Sequence, residues 1–433
     1  MKTRNLVLFG TVAALYLLTG MFQSWNLTLS ILNTALLATI AALGVNMQWG
    51  YAGLFSTGVM GFTALGGLAV VLVSAQPNAE NWGAGGFGIL QGLFLGAASV
   101  AASIFAYNRL PKGRLRNLGV AALLIGGFFL FRAVYDPAVV ATEAINPQNA
   151  GNIGGLGLPS LLAWPVGGLL AAGAAWAIGK TALGLRSDYL AIATLGIAEI
   201  IIAFIRNEDW LARGVKNIIN LPRPWPVPYE VAMQKQVGFI DFVAKWGLDP
   251  ANASTVVVKL LYAAMFGLVL MAVIWLSERA LNSPWGRMMR AIRDNEVSAA
   301  AMGKDVTRRH LQVFILGSAV IGFAGAMMTS MDGQLTPGTY NPLRVTFLIW
   351  VMVIVGGSGN NWGTVLGGLL IGWLWLVVEF LGPNLMGILT SGLSDGPLKA
   401  HLIDSAQHMR LLTLGLILLL VLRFSPRGLI PEK

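Results

Sequence analysis

The chain has no cysteine among its 433 residues, only three histidines, and only 11% charged residues. The absence of cysteine excludes disulfides, zinc–thiolate sites, iron–sulfur clusters and thiol nucleophiles. The scarcity of charge says more. Soluble proteins carry about 25% charged residues, and a soluble surface needs far more charge than this chain supplies. His310, His401 and His408 are dispersed. With no Ser-His-Asp set and no carboxylate pair, neither a metal site nor a catalytic residue is expected.

What is abundant points one way. Hydrophobic residues make up 56% of the chain, glycine numbers 53, and the mean hydropathy is +0.69. Glycine is commoner in membrane helices than in soluble ones. The apolar runs recur along almost the whole sequence. They predict an all-α, polytopic membrane helix bundle formed as a single domain over 1–433.

A spanning helix needs roughly 20 apolar residues. Twelve segments are candidates. They are Leu6–Phe22, Leu27–Asn46, Leu54–Val73, Gly86–Tyr107, Leu118–Tyr135, Ser160–Gly179, Tyr189–Ile205, Thr255–Leu276, Leu311–Met331, Val345–Gly356, Trp362–Leu381 and Met409–Leu422. Several are short, so ten to twelve spans are expected. Lys2 and Arg4 ahead of the first run resemble a signal peptide. A second run follows at once without a small-residue cleavage site, so the first is read as an uncleaved helix.

The net charge of +10 is read as loop asymmetry rather than nucleic-acid binding, because cytoplasmic loops carry excess Lys and Arg. With the N-terminus in the cytoplasm, Arg109, Lys112, Arg114, Arg116, Lys180, Arg186, Arg423, Arg427 and Lys433 all fall inside. So do Arg279, Arg287, Arg290, Arg293, Lys304, Arg308 and Arg309. The stretch 136–159 falls outside and has no Lys or Arg. The extracytoplasmic loop 206–254 carries several basic residues, but long loops are weakly constrained. It also holds Pro222, Pro224, Pro226 and Pro228, an extended and stiff piece that suits either a rigid spacer or a docking rim.

The inside loop 277–310 is too long for an idle connector. Asp294 or Asn295 can cap a helix, Glu296 suits its first turn, and Gly303 suits its end. The result is a short cytoplasmic helix with small and apolar residues between charges, the kind of surface a partner's groove accepts.

This stretch, Arg290-Ala-Ile-Arg-Asp-Asn-Glu296-Val-Ser-Ala299-Ala-Ala-Met-Gly303, resembles the coupling loop of ATP-binding-cassette importer permeases. Further segments resemble the branched-chain amino acid, urea and amide (LivM-type) permeases. These are Leu43-Gly-Val-Asn46 with Gly50-Tyr-Ala-Gly53, Asp188-Tyr-Leu-Ala-Ile-Ala-Thr-Leu-Gly196-Ile-Ala-Glu199, Ser283-Pro-Trp-Gly-Arg287, Val355-Gly-Gly-Ser-Gly359 and Phe424-Ser-Pro-Arg-Gly-Leu429. They stand in the family's order over most of 27–429. Two departures stand out. Leu211–Ile218 replaces a Thr-Gly-Gly-rich segment, and Leu118–Tyr135 reads as an added helix.

The resemblance implies a transmembrane permease subunit in the bacterial inner membrane. It would work by alternating access with a second homologous permease, two cytoplasmic ATPase subunits and an extracytoplasmic solute-binding protein. It would bind no cofactor, ATP being hydrolysed by the partners. Arg293, Glu296, Ala299 and Gly303 would couple to the ATPase. Gly50, Gly53, Glu199, Gly356 and Gly359 would shape the translocation path, since irregular backbone at membrane depth survives only where it lines a cavity or is buried in protein. Tight packing by small residues is the plainer reading of the glycines. Glu199 lies mid-span and is expected to face the bundle interior.

Three other readings fit less well. Ala174–Thr181 matches a relaxed phosphate-loop pattern but reads as a helix end. A secondary active transporter of the major-facilitator kind would place its long inside loop after the sixth span, not the eighth. A membrane-embedded enzyme would need clustered His, Asp or Glu, and none is visible.

Overall fold

A computed structural model describes residues 3–145, 151–185, 187–392 and 396–432. Lys2, Arg186 and Lys433 lie outside the described residues. The long helices are α1 (Thr3–Phe22), α2 (Trp25–Val45), α3 (Val59–Ser74), α4 (Phe87–Arg109), α5 (Arg114–Glu143), α6 (Ser160–Ala182) and α7 (Ser187–Asn207). They continue with α8 (Pro250–Leu281), α9 (Pro284–Asp294), α10 (Glu296–Ala301), α11 (Val306–Asp332), α12 (Pro342–Gly356), α13 (Asn361–Leu389) and α14 (Met409–Phe424). No strand occurs among the described residues; one isolated antiparallel bridge joins Ile218 to Leu335.

Each of the twelve apolar segments contains a helix, though not every helix is as long as a full crossing requires. Among the described residues nine helices are long and apolar enough to cross a membrane, or ten if Pro397–Asp404 and α14 make one broken span. The protein is therefore a multi-pass membrane helix bundle. The shorter helices are α3 and α14, with 16 residues each, and α12, with 15. At about 1.5 Å per residue these cover about 22–24 Å, less than a hydrocarbon core of about 30 Å.

The bundle is built around α2. Of the most apolar stretch in Trp25–Gly50, which is α2 and its continuation, 78% is buried, against 6% in α5. α2 packs on α8, α11, α12 and α13, whereas α5 packs chiefly on α4 as an outlying hairpin. That peripheral place fits a helix added to a common core. Small residues let the central backbones approach. A Cβ built on Gly66 would come 1.9 Å from the Gly322 carbonyl oxygen, and one on Gly325 2.1 Å from that of Thr63.

The expected helix start at Leu54 is wrong. Residues 51–58 carry no regular helix, and α3 begins at Val59. Their backbone polar groups are satisfied by neighbours instead. Thr57 N–H donates to Thr194 Oγ1 at 3.1 Å, Trp350 Nε1 donates to the Ser56 carbonyl at 3.2 Å, and Thr346 Oγ1 to that of Thr57 at 3.4 Å. Non-helical backbone in a membrane protein persists on this condition. The stretch Ala174–Thr181 lies wholly within α6, and Lys180 Nζ sits 4.1 Å from the centre of the Trp176 ring, so this stretch is a helix rather than a phosphate loop.

Candidate functional site at the basic end of the bundle

The loop 277–310 folds as two helices where the sequence suggested one. α9 is amphipathic, burying Gly286, Met289 and Ile292 and turning Arg287 and Asp294 outward. Its signals were Pro284 at the first helical position and apolar residues three apart. Asn295 then breaks the run with an extended backbone, and its side chain accepts a hydrogen bond from Ser298 N–H at 2.9 Å, capping α10. Gly303, at φ +74°, closes the turn in a conformation that favours glycine. The boundaries expected around Glu296 and Gly303 are thus met.

The faces differ from expectation in one respect. Ala299 is buried within its own chain, on a helix that packs against α9 and α11. It seats the helix on the bundle and is not presented outward. Val297 is 81% exposed and Met302 80%, and Glu296 and Gly303 are also exposed. The tip of α10 therefore presents two apolar side chains to the outside among charged neighbours.

Arg293 is the junction. Its Nη1 donates to the Gly50 carbonyl and to Glu432 Oε2, the latter at 2.8 Å. Its Nε donates to Asp294 Oδ1 at 3.1 Å. Burial alone would pull this guanidinium below its ordinary pKa. The hydrogen bond and charge of Glu432, joined by Asp294, overcome that and hold it above. The Arg293 backbone and Cγ also lie over Gly53, whose φ is +71°.

Gly50 ends a π-helical turn, Asn46–Gly50, that continues α2; the Tyr51 N–H reaches back to the Asn46 carbonyl at 3.2 Å. Such turns are frequent at functional sites. A Cβ on Gly50 would meet Asn46 Oδ1 at 2.2 Å and the Gly359 nitrogen at 2.5 Å. A buried polar network surrounds it. Gly359 N–H donates to Asn46 Oδ1 at 2.9 Å, Asn46 Nδ2 to Asn361 Oδ1 at 3.2 Å, and Asn361 Nδ2 to Glu278 Oε1 at 3.1 Å. Gln48 Nε2 donates to Ser318 Oγ at 3.0 Å.

The chain's last residues close the site. Leu429 N–H and Ile430 N–H donate to the Val355 and Gly356 carbonyls, each at 2.9 Å. A Cβ on Gly356 would come 2.1 Å from the Gly363 carbonyl oxygen. Four predicted glycines, Gly50, Gly53, Gly356 and Gly359, and the predicted Arg293 therefore meet at one place. Close packing accounts for Gly50, Gly356 and Gly359, and none of the four lines the cavity of about 250 Å³ found between α2, α3, α11, α12 and α13.

Glu199 is a correction. It is exposed on an outward face of α7 that also carries Tyr189, Ile192, Gly196 and Ala203. The buried face of α7 is taken by Leu190, Thr194, Ala198, Ile202 and Ile205. The sequence reading also missed Glu278, Asn361 and Glu432. Asn361 and Glu278 were visible as polar groups bordering apolar runs, but nothing local linked them to Asn46.

Comparison with known proteins follows this geometry. The family described as branched-chain amino acid transport system / permease component matches residues 27–422. The high-affinity branched-chain amino acid transport system permease protein LivM of Escherichia coli K12 is 27% identical over 339 residues, 78% of this chain and 70% of that protein. The probable branched-chain amino acid transport permease protein LivM of Methanocaldococcus jannaschii is 25% identical over 403 residues, 91% of this chain and 90% of that protein. The D-allose transport system permease protein AlsC of E. coli K12 is 26% identical over 254 residues, 57% of this chain and 68% of that protein. No solved structure matches. With the family match running through α2 to α14 and taking in the Gly50–Arg293–Gly359 junction, this chain belongs to the branched-chain amino acid permease family of ATP-binding-cassette transporters.

Proposed function

We propose that the chain is one membrane subunit of an importer for branched-chain amino acids or related small polar solutes, urea and amides included, in a bacterial inner membrane. Two cytoplasmic ATPase subunits supply the energy. An extracytoplasmic solute-binding protein delivers the substrate, and a second homologous permease completes the path. ATP is bound and hydrolysed by the partners; this chain contributes movement and no cofactor chemistry.

The observation that carries this reading is the tie from α10 to the broken segment after α2. A partner gripping Glu296, Val297 and Met302 would push on α9. Through Arg293 that push reaches the Gly50 carbonyl, the Glu432 carboxylate and the non-helical stretch 51–58. Gly50, Gly53, Gly356 and Gly359 then form the cytoplasmic closure of the path rather than its lining. Ala299 and Gly303 fix the pitch of the lever.

The exposed face of α7 supports a second membrane subunit. Leaving an acidic residue at a helix centre against lipid costs about 2.5–3.5 kcal/mol on insertion scales. A neighbouring subunit that offers a donor to Glu199 removes that cost.

The test is a mild-detergent purification of the tagged chain beside Glu296→Arg and Gly303→Pro. An ATPase and a second permease should accompany the wild type, and the ATPase should be lost from both variants. A chain that emerges alone and transports in vesicles without ATP would instead be a secondary transporter.

A further inference from the structure

Among the described residues three non-glycine residues hold a left-handed backbone, and all three lie in the loop after α7. They are Arg213 at φ +53°, Asn217 at +59° and Asn220 at +61°. Gly214, beside Arg213, stands at +51°, and a Cβ there would meet the Arg206 carbonyl oxygen at 2.5 Å. Asparagine tolerates this region better than most residues; arginine has no such allowance. Strained residues persist only where their surroundings over-determine them, and they gather at functional sites and switches.

Both ends of this loop are tied down. At the near end Trp210 is buried. Its Nε1 donates to the Tyr135 hydroxyl at 2.7 Å and to Glu208 Oε2 at 2.6 Å. Its N–H donates to Glu143 Oε1 at 3.1 Å, and its carbonyl accepts from Ile153 N–H at 3.0 Å. Tyr135 and Glu143 belong to α5, so the outlying hairpin is the anchor. At the far end Ile218 and Leu335 exchange both backbone hydrogen bonds, at 3.1 and 2.8 Å, and Leu221 N–H donates to the Gly333 carbonyl at 2.9 Å. Residues 333–335 follow directly on Asp332, which ends α11 and lines the cavity of about 250 Å³. The loop therefore runs as a strap from the hairpin to the rim of that cavity.

The two ends differ in kind. The anchor is a buried aromatic ring with hydrogen bonds to carboxylates, which are stronger than neutral ones. The far end is three backbone hydrogen bonds on a surface where Val215, Lys216, Ile219 and Asn220 are exposed. Strain held between a firm end and a weak one is relieved when the weak end lets go. A static connector has no use for it, since glycine at 217 and 220 would take the same φ without a clash.

We propose that residues 213–221 form a strap that closes the extracytoplasmic end of the bundle under backbone strain and parts from 333–335 in each transport cycle. The hairpin of α4 and α5 holds the fixed end, so the added helix and the altered loop work as one device. The strap's opening rests on the proposed function, because it needs a transport cycle.

The test uses the complete transporter in proteoliposomes, and the lack of cysteine makes any thiol introduced into this chain its only one. The Cα atoms of a hydrogen-bonded antiparallel pair are about 5.5 Å apart, within reach of a disulfide, so Ile218→Cys with Leu335→Cys locks the strap shut. ATP-driven uptake of leucine and of urea is followed. Uptake should be lost on oxidation and regained on reduction, and each single variant should be indifferent to the oxidant. Leu335→Cys alone, at a fully buried position, should react with a membrane-impermeant maleimide only during turnover. Undiminished uptake by the oxidised pair, or a Leu335→Cys thiol that stays unreactive during turnover, overturns the strap. If the reduced pair is inactive, the labelling of Leu335→Cys decides alone. Wild-type uptake is measured in parallel. If it is present and the lock has no effect, only the strap falls; if neither solute is taken up, the proposed function falls with it.

Discussion

Arg293 Nη1 lies 2.8 Å from Glu432 Oε2, joining α9 to the segment after α14 across 139 positions. The same nitrogen holds the Gly50 carbonyl. Hydrogen bonds to charged groups contribute about 1.5–3 kcal/mol. Arg293→Ala removes several at once and leaves the outward face of α10 intact. Transport should fall by about tenfold or more, since about 1.4 kcal/mol is a factor of ten, while the ATPase still copurifies. Glu432→Gln keeps an acceptor and should lose less. Uptake assays beside pull-downs check both halves.

Backbone contact through small residues sets a second expectation. Gly66→Ala and Gly356→Ala force a methyl to within 1.9 and 2.1 Å of carbonyl oxygens on neighbouring helices. Overpacking of this kind costs about 1–3 kcal/mol. Both variants should unfold at lower temperature in detergent. Gly173→Ala, with nothing within 4 Å of the new carbon, should not. Equal melting of all three would mean that these interfaces are looser than described.

Glu199 gives a prediction with opposite signs in two measurements. Glu199→Leu removes a charge from an exposed helix face, so the isolated chain should insert more efficiently, by about 2.5–3.5 kcal/mol on the insertion scale. The same change should weaken copurification of a second permease. Better insertion with undiminished association would place the partner on another face.

The absence of cysteine makes the topology directly measurable, because any single cysteine is the only thiol. Lys112→Cys and Lys304→Cys should react with a membrane-impermeant maleimide only in inverted vesicles. Trp225→Cys, at an 80% exposed position, should react only in right-side-out ones. The reverse pattern would invert the orientation and place α10 on the wrong side for an ATPase.

The bundle itself was legible because burial in lipid imposes one rule on every span, and α8 and α11 obey it over their full length. The rule fails where protein replaces lipid. Leu54–Gly58 reads as apolar helix, yet its polar backbone is satisfied by Thr194, Thr346 and Trp350, residues 137 or more positions away. The capping of α10 was readable because Asn295, Glu296 and Gly303 act on their immediate neighbours. The inward turn of Ala299 was not, because it depends on how α10 lies against the rest of the fold. Glu199 was misplaced for a related reason: a helical period says which residues share a face, not which face meets the bundle. The junction of Gly50, Arg293 and Glu432 joins three distant segments, and only the folded chain brings them together.

The central claim is that ATP hydrolysed by partner subunits moves substrate through this chain by way of α10. The most direct test reconstitutes the chain with its copurifying permease and ATPase in liposomes, with ATP on the ATPase side and the binding protein and leucine on the other. Leucine should accumulate only with hydrolysable ATP, and Glu296→Arg should abolish accumulation while wild type and variant insert equally. Accumulation that persists without ATP, or that is indifferent to Glu296→Arg, would contradict the account.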